Sequence, residues 1–437
     1  MSDQPLTADR MVSAAPVLGS SLSRRHGIFA VTIGNTLEYY DFTVYTFFAV
    51  MIGRQFFPVD NPWSNLLLSV ATFGVGFLSR PVGAIFIGAL ADRSGRRAAL
   101  NVSIVLMALG TALIAFTPGY ATLGVAAPIL LVVGRLVQGF AAGGETGSAA
   151  SYMIEVAPPA ERGYFGSWTN AGQGLALVLA GIVAIGLSAT LPQADVERWG
   201  WRVAFAVGLL IVPVGIYVRR HIPETIESAS VHGSTGAVLK EIVRSQLRTV
   251  ILGILTILGG TVSYFVSTYM TSYAITTLHL PTSAALLVPF AAGVSVVVPT
   301  LLGGWLSDRI GRKPVLIWPR ILLILVAYPA FLYLTAQPSA LSLILMTCVI
   351  MGLHSLSGGL MLVLVPELLP RAVRTTGFAL IYAVGVCVFG GSTQVVLTWL
   401  IKITGDPLSP AYYLMLANAI SVAAMCLLEE SRGRPLD

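Results

Sequence analysis

Glu38 and Asp41 stand three residues apart in an otherwise apolar run, so a helix there would carry both carboxylates on one face, with Gly34 and Tyr45. Arg80 and Arg135 lie in two further apolar runs, and Gln138 follows Arg135 by about one helical turn. In an apolar setting a carboxylate can take up and release a proton, with the balance set by any arginine beside it. A guanidinium offers a planar pair of donors that matches a carboxylate. At about 1.5 Å of rise per residue, Glu38 and Asp41 would lie roughly 16 to 21 Å in from Gly27, and Arg80 about 18 Å in from Asp92. The three groups could then meet at one depth. The plainer alternative is a neutralised cluster that locks helices together, since buried charge persists only when paired.

Other polar residues interrupt apolar runs. Asn170 and Gln173, near Trp168, could complete a polar cavity, as could His354, Ser355 and Ser357. Tyr264, Tyr269 and Tyr273 bring hydroxyls that could bond a polyol acid or serve only as aromatic packing. His354 reads as a hydrogen-bonded structural residue, because no partner for a proton relay is visible. Arg320, a few residues into its run, reads as a cation snorkelling to the headgroups. The glycines Gly139, Gly143, Gly144 and Gly147 read as close helix packing.

The elements that must position these groups are membrane helices. Of 437 residues 55% are hydrophobic and only 11% charged, far from a soluble domain. Twelve apolar stretches of spanning length lie between about 27 and 428. The fold class expected is an all-α integral membrane protein of twelve transmembrane helices in two pseudo-symmetric six-helix bundles. The divisions are an N-terminal tail at 1–26, a first bundle at 27–219, a linker at 220–246 with a short surface helix near 238–247, a second bundle at 247–428 and a tail at 429–437. Of the 26 Lys and Arg residues, four (Arg54, Arg198, Arg202 and Lys402) fall in one set of loops and three (Arg80, Arg135 and Arg320) at membrane depth. The remaining 19 fall in the other set, which the positive-inside rule assigns to the cytoplasm together with both termini. The net charge of +6 follows from that topology and attracts lipid headgroups, so no nucleic-acid partner is expected.

A loop motif occurs twice. Gly88, Asp92, Arg93, Gly95, Arg96 and Arg97 recur as Gly304, Asp308, Arg309, Gly311, Arg312 and Lys313, 216 residues later. A second echo places Glu155 and Arg162 on Glu367 and Arg374. Two halves with the same loops in the same orientation are parallel repeats about an axis along the membrane normal. Glu145 lies near the cytoplasmic end of its run and could pair with the 93–97 loop. Catalytic and metal chemistry find no support: there is no G-x-x-x-x-G-K-[ST], H-E-x-x-H or C-x-x-C, and Cys348, Cys387 and Cys426 lie in apolar runs. No enzyme activity, cofactor or metal is expected.

On the doubled G-x-L-A-D-R-x-G-R-R pattern, the chain resembles the major facilitator superfamily from about residue 27 to 428. GNTLEYYDF at 34–42, RPVGAIFIG at 80–88, GRLVQGFAAGGETG at 134–147 and WGWRVAF at 199–205 are similar to the metabolite-proton symporters. YFVSTYMTSY at 264–273 and FGGSTQ at 389–394 resemble the citrate and tricarballylate branch. The osmolyte branch carries a C-terminal coiled-coil extension, and a stop soon after the last apolar run argues against that branch. The resemblance implies a central cavity lined by the first, fourth, seventh and tenth helices. It also implies proton coupling through Glu38 and Asp41, and substrate binding by Arg80, Arg135, Gln138, Asn170, Gln173, Tyr264, Tyr269 and Tyr273. The doubled loops would act as latches, with Glu145, Glu155, Arg162, Glu367 and Arg374 in gate salt bridges. The expected activity is import of a citrate-like organic acid anion with protons, by a functional monomer in the bacterial inner membrane. A dicarboxylate, 2-oxoglutarate or shikimate carrier of the same family stays open, as does a non-transporting sensor on this scaffold.

Overall fold

A computed structural model describes residues 21–94, 96–143, 145–220, 244–370 and 373–433. Within these, nothing is described of the side chains at 21–27, 30, 88–89, 91–100, 145–148, 151, 211–212, 214–220 and 375. The first copy of the loop motif and Glu145 therefore lie outside the described side chains, as does most of the expected linker helix.

The described residues are all-helical outside their loops and form twelve spans. In the first half they are α1 (Ser21–Phe47, extended by Ala49–Phe56), α2 (Pro62–Leu78 and Arg80–Ser94), α3 (Arg96–Phe116), α4 (Ala126–Ala142, continued by Glu145–Val156), α5 (Arg162–Thr190) and α6 (Trp201–Arg220). The second half has α7 (Leu247–Thr276), α8 (Val288–Ile310), α9 (Arg312–Ala336), α10 (Ala340–Glu367), α11 (Arg374–Gly385 and Gly391–Thr404) and α12 (Ser409–Leu427). Among the described residues, eight helices are long and apolar enough to cross a bilayer. In α11 the two segments are joined by a π-turn, Val386–Gly390.

Glycine decides how close these helices come. A Cβ on Gly139 of α4 would overlap the carbonyl oxygen of Gly76 on α2, and one on Gly143 would overlap that of Arg80. The two helices that carry Arg80 and Arg135 thus cross backbone to backbone, as small residues permit in lipid.

The two halves close on each other at both ends. At one end α2 meets α11, where a Cβ on Gly74 would overlap the carbonyl of Gly391, and Lys402 Nζ donates to Ser64 Oγ across 3.1 Å. At the other, α5 meets α8, and a Cβ on Gly163 would lie 2.7 Å from Gly304 O. There Asp308 accepts from the backbone N–H groups of Gly163 and Tyr164, each at 2.8 Å. A carboxylate of the second half thereby caps the open N-terminus of α5 in the first, where helix dipole and free donors favour a negative charge. Arg312 holds Asp308 at 2.5 Å and Glu367 at 3.3 Å, and Arg374 reaches Glu155 of the first half at 3.7 Å. Arg309 instead stacks on Trp305 at 3.7 Å, on the exposed side of α8. Gly311 has φ 109°, a left-handed conformation that ends α8 and suits glycine.

Behind the latch, Glu430 accepts from the backbone N–H of Arg312 and Lys313, both at 2.9 Å, and so caps α9. Ser431 Oγ donates to Glu367 Oε2 at 2.5 Å. Partial burial pushes the Glu430 carboxyl up, but backbone donors from Lys313, Arg312, Arg432 and Ser431 outweigh it and leave the group below the usual glutamate value. A lowered pKa means that the cap stabilises fully above the unfolded value, about 4.3, and is lost as pH falls through the folded one. Glu430→Gln should accordingly lower the thermal unfolding midpoint in detergent at pH 7, with the difference from wild type narrowing below about pH 4. A difference constant with pH would exclude the charge as the cause.

Asp308→Asn tests the latch itself. The amide keeps one acceptor but turns an NH2 toward the second backbone donor, so about 1 to 3 kcal/mol of closure is expected to go. In a cysteine-free background, Thr300→Cys should then react several-fold faster with a water-soluble thiol reagent. An unchanged labelling rate would mean that the interface does not depend on this carboxylate.

Candidate functional site

Between the two closures lies a cavity of about 50 Å³, measured as space open to a water's centre, which is room for a few waters. Tyr39, Phe42, Thr43 and Thr46 of α1 line it at spacings of three, four and seven, and Gly260, Thr261, Tyr264, Phe265 and Thr268 of α7 do so at the same helical period. Phe77 and Arg80 of α2, Asn170 and Gln173 of α5, His354 of α10 and Tyr382 of α11 complete much of the wall. Tyr39 and Tyr382 bring their hydroxyls to 2.6 Å, bridging the two halves, and Asn170 Nδ2 donates to Thr300 Oγ1 at 3.0 Å across the same divide. Among the described residues none of α4 is on the wall, so Arg135 and Gln138 do not reach it, whereas Arg80 of α2 and Asn170 and Gln173 of α5 do, joined by Tyr382 of α11, which had not been singled out.

Arg80 is buried, its guanidinium 4.6 Å from the ring centroids of both Phe42 and Phe77. Its Nε has no hydrogen-bond partner. Arg135 is fully buried behind this wall, 4.6 to 4.8 Å from Phe42, Tyr45 and Phe73. The two arginines therefore rest against the same Phe42 ring. Cation–π contacts of this kind are worth about 2 kcal/mol each when desolvated. Two or three per guanidinium rival the cost of roughly 2.5–3.5 kcal/mol assigned to an arginine in the middle of a spanning helix.

Asp41 turns away from the cavity, since 38, 41 and 45 form a different face of α1 from 39, 42, 43 and 46. Its Oδ2 accepts from Thr111 Oγ1 of α3. Gln138 Nε2 donates to the same hydroxyl at 2.9 Å, and Arg135 Nη1 donates to Gln138 Oε1 at 2.7 Å. The result is a chain from Arg135 through Gln138 and Thr111 to Asp41. Thr111 has one proton to give, and Met107 O competes for it at 2.9 Å. The hydroxyl can serve an ionised Asp41 or, once Asp41 carries its own proton, turn to Met107. Thr111 was missed in the sequence, where one threonine in an apolar helix gives no signal. Glu38 is buried one turn before Phe42.

Of the seventh-helix tyrosines only Tyr264 reaches the cavity. Tyr269 accepts from Thr398 Oγ1 at 3.0 Å, and Tyr273 donates to Pro407 O at 2.7 Å, both inside the second half. Two readings need correction. Arg320 does not snorkel: it is fully buried, donating to Ser357 Oγ at 2.9 Å and Asn418 Oδ1 at 2.8 Å. His354 is not fixed by ring hydrogen bonds, since its Nδ1 lacks a partner and the ring borders the cavity.

The sequence profile described as Major Facilitator Superfamily matches residues 31–393. This chain belongs to the Major Facilitator Superfamily. Within the superfamily it is 38% identical to the citrate-proton symporter of Salmonella typhi, over 92% of this chain and 93% of that one. The citrate-proton symporter of Klebsiella pneumoniae is 37% identical, over 96% of each. A proline/betaine transporter of Salmonella typhimurium is 33% identical, over 94% of this chain and 85% of that protein. Among solved superfamily structures, the proton:xylose symporter XylE bound to 6-bromo-6-deoxy-D-glucose superposes with TM-score 0.77 at 18% identity, covering 96% of this chain and 98% of that one. Superfamily members are transporters and not enzymes, and the citrate branch is the one this sequence resembles.

Phe42→Leu keeps an apolar side chain but removes the π face that both guanidiniums share. A loss of about 1 to 4 kcal/mol of stability is expected, read as a lower thermal unfolding midpoint in detergent, with Phe42→Tyr close to wild type. Equal stability of the leucine variant would show that packing alone holds the arginines.

Proposed function

We propose that this protein is a proton-coupled symporter that imports an organic polycarboxylate of the citrate type, as two of its relatives are named for doing. The observation that carries this reading is the cavity's charge: Arg80 stands on the wall with an unpartnered Nε, and among the described residues no aspartate or glutamate side chain lines the space. Such a wall suits an anion. Tyr39, Asn170, Gln173 and Tyr264 add neutral groups that would bond the carboxylate and hydroxyl oxygens of the substrate, while Arg135 and Gln138 act behind the wall. Tyr269 and Tyr273 would support the cavity through their packing.

Asp41 is the proton carrier in this reading, with Glu38 as its neighbour on the same helix. The positive charge of Arg80 favours an ionised carboxylate nearby, and a bound anion cancels that charge. Anion and proton then bind cooperatively, and by linkage each strengthens the other. The simpler scheme would have substrate and carboxylate compete directly for Arg80. With Phe42 between Arg80 and the Arg135–Asp41 chain, coupling through the field across the ring fits better. The closed conformation is too tight for a tricarboxylate to enter, so the halves must part at either end in turn. The Asp308 cluster is assigned to the cytoplasmic face by the loop charges, with bundles at 27–219 and 247–428, both tails inside, and the protein a monomer in a bacterial inner membrane.

Asp41→Asn should abolish pH-gradient-driven accumulation of citrate in proteoliposomes while leaving citrate counterflow within a few-fold of wild type. Accumulation by this variant, driven by a proton gradient alone, would remove Asp41 from the coupling step. Substrate class is tested by competition against labelled citrate uptake with tricarballylate, 2-oxoglutarate, succinate, shikimate and betaine. Tricarballylate should compete best, and inhibition by betaine alone would overturn the polycarboxylate reading.

A further inference from the structure

We infer that Arg320 is a second carboxylate receptor of the cavity, reached through a window at Gly260 that Met361 covers in the closed conformation. The inference rests on the reading above that the cargo is an organic polyanion. Arg320 projects from α9, behind the wall contributed by the second half. Its Nε and Nη1 are held by the neutral oxygens of Ser357 and Asn418 at 2.9 and 2.8 Å. Nη2 has only the thioether of Met361, at 3.7 Å, and sulfur is a weak acceptor. None of the ion pairs among the described residues includes Arg320. A guanidinium at membrane depth held by neutral groups alone is expensive and marks a substrate or ion path more often than a scaffold.

The geometry connects that Nη2 to the cavity. Gly260 and Met361 both line it, and a Cβ on Gly260 would stand 2.9 Å from Arg320 Nη2 and 2.5 Å from Met361 Cε. Only the absence of a side chain at 260 leaves the guanidinium next to the open space. Met361 is unbranched and flexible, the sort of side chain that moves aside at low cost. His354 and Gly358 border the same part of the wall. Arg80 belongs to α2 of the first half and Arg320 to α9 of the second. A polycarboxylate bound to both would tie the halves together, whereas an acid with one carboxylate could hold only one of them.

The test measures dissociation constants of the purified full chain for tricarballylate and for butyrate, the same carbon chain with a single carboxylate. Arg320→Gln is expected to weaken tricarballylate about 10- to 100-fold, as fits loss of a charge-assisted hydrogen bond, and butyrate by less than about threefold. Equal weakening of both would mean that Arg320 is structural and would overturn the inference. Gly260→Ala keeps the charge and favours the helix while closing the window, and it should also weaken tricarballylate selectively, by about tenfold. This variant decides the matter if Arg320→Gln does not fold: tricarballylate binding unchanged by the added methyl would overturn the inference. A wild type that binds no polycarboxylate would overturn the functional reading itself. Wild-type binding with both variants unaffected would remove Arg320 alone.

Discussion

Two guanidiniums lean on one benzene ring inside the membrane, and much else in the structure follows from keeping them there. Arg80 and Arg135 lie 4.6 and 4.8 Å from the Phe42 centroid, and neither is in an ion pair among the described residues. Aromatic faces therefore do most of what a counter-charge would do. This requires Phe73 and Phe77 to be packed against Phe42, with Tyr45 stacked in turn on Phe73. It also requires α2 and α4 to cross at backbone distance, which is why Gly76 faces Gly139. A side chain at that crossing would part the two helices and with them the two cations.

The ends of the molecule obey a different rule. Near the centre, charge is sheltered by rings, whereas at the Asp308 end it is satisfied by helix termini and by opposite charge. Asp308 caps α5, Glu430 caps α9, and Arg312 and Arg374 stitch carboxylates between them. Hydrogen bonds to helix ends break and reform without unfolding anything, since water can replace each donor. The stacked core offers no such substitute. The molecule thus pairs a rigid centre with closures that can be undone, the division that rigid-body rearrangement of two halves calls for.

Much of the fold was legible in the sequence because membranes leave few choices: an apolar run of spanning length must be a helix, and a loop motif repeated after 216 residues must mark equivalent places. The family was legible from the same loops. The site was legible by depth but less so by direction. Glu38, Asp41 and Arg80 are each buried, yet Asp41 points to Thr111 and not to the cavity wall where Arg80 stands. Helical arithmetic held part of that answer, since 38 and 41 are offset from 39, 42, 43 and 46. The same arithmetic separates Tyr264 from Tyr269 and Tyr273, five and nine residues on. Arg320 was misread because position along a helix says nothing of what neighbouring helices supply. Ser357 and Asn418 come from α10 and α12, and only the assembled bundle brings them to it.

The π-turn of α11 adds a constraint of another kind. Val386–Gly390 carries one residue more than a regular helix would need, so everything beyond it is rotated by about 100° from where an unbroken α-helix would place it. Tyr382 before the turn meets Tyr39, and Gly391 after it meets Gly74. Both contacts hold only for the number of residues that lies between them. Deleting any one residue from this stretch would give a smoother helix and carry Gly391 off its partner. In this part of the chain, then, the number of residues is itself a structural requirement, beside the demand for a glycine at 390, where a Cβ would lie 2.8 Å from the Phe265 ring.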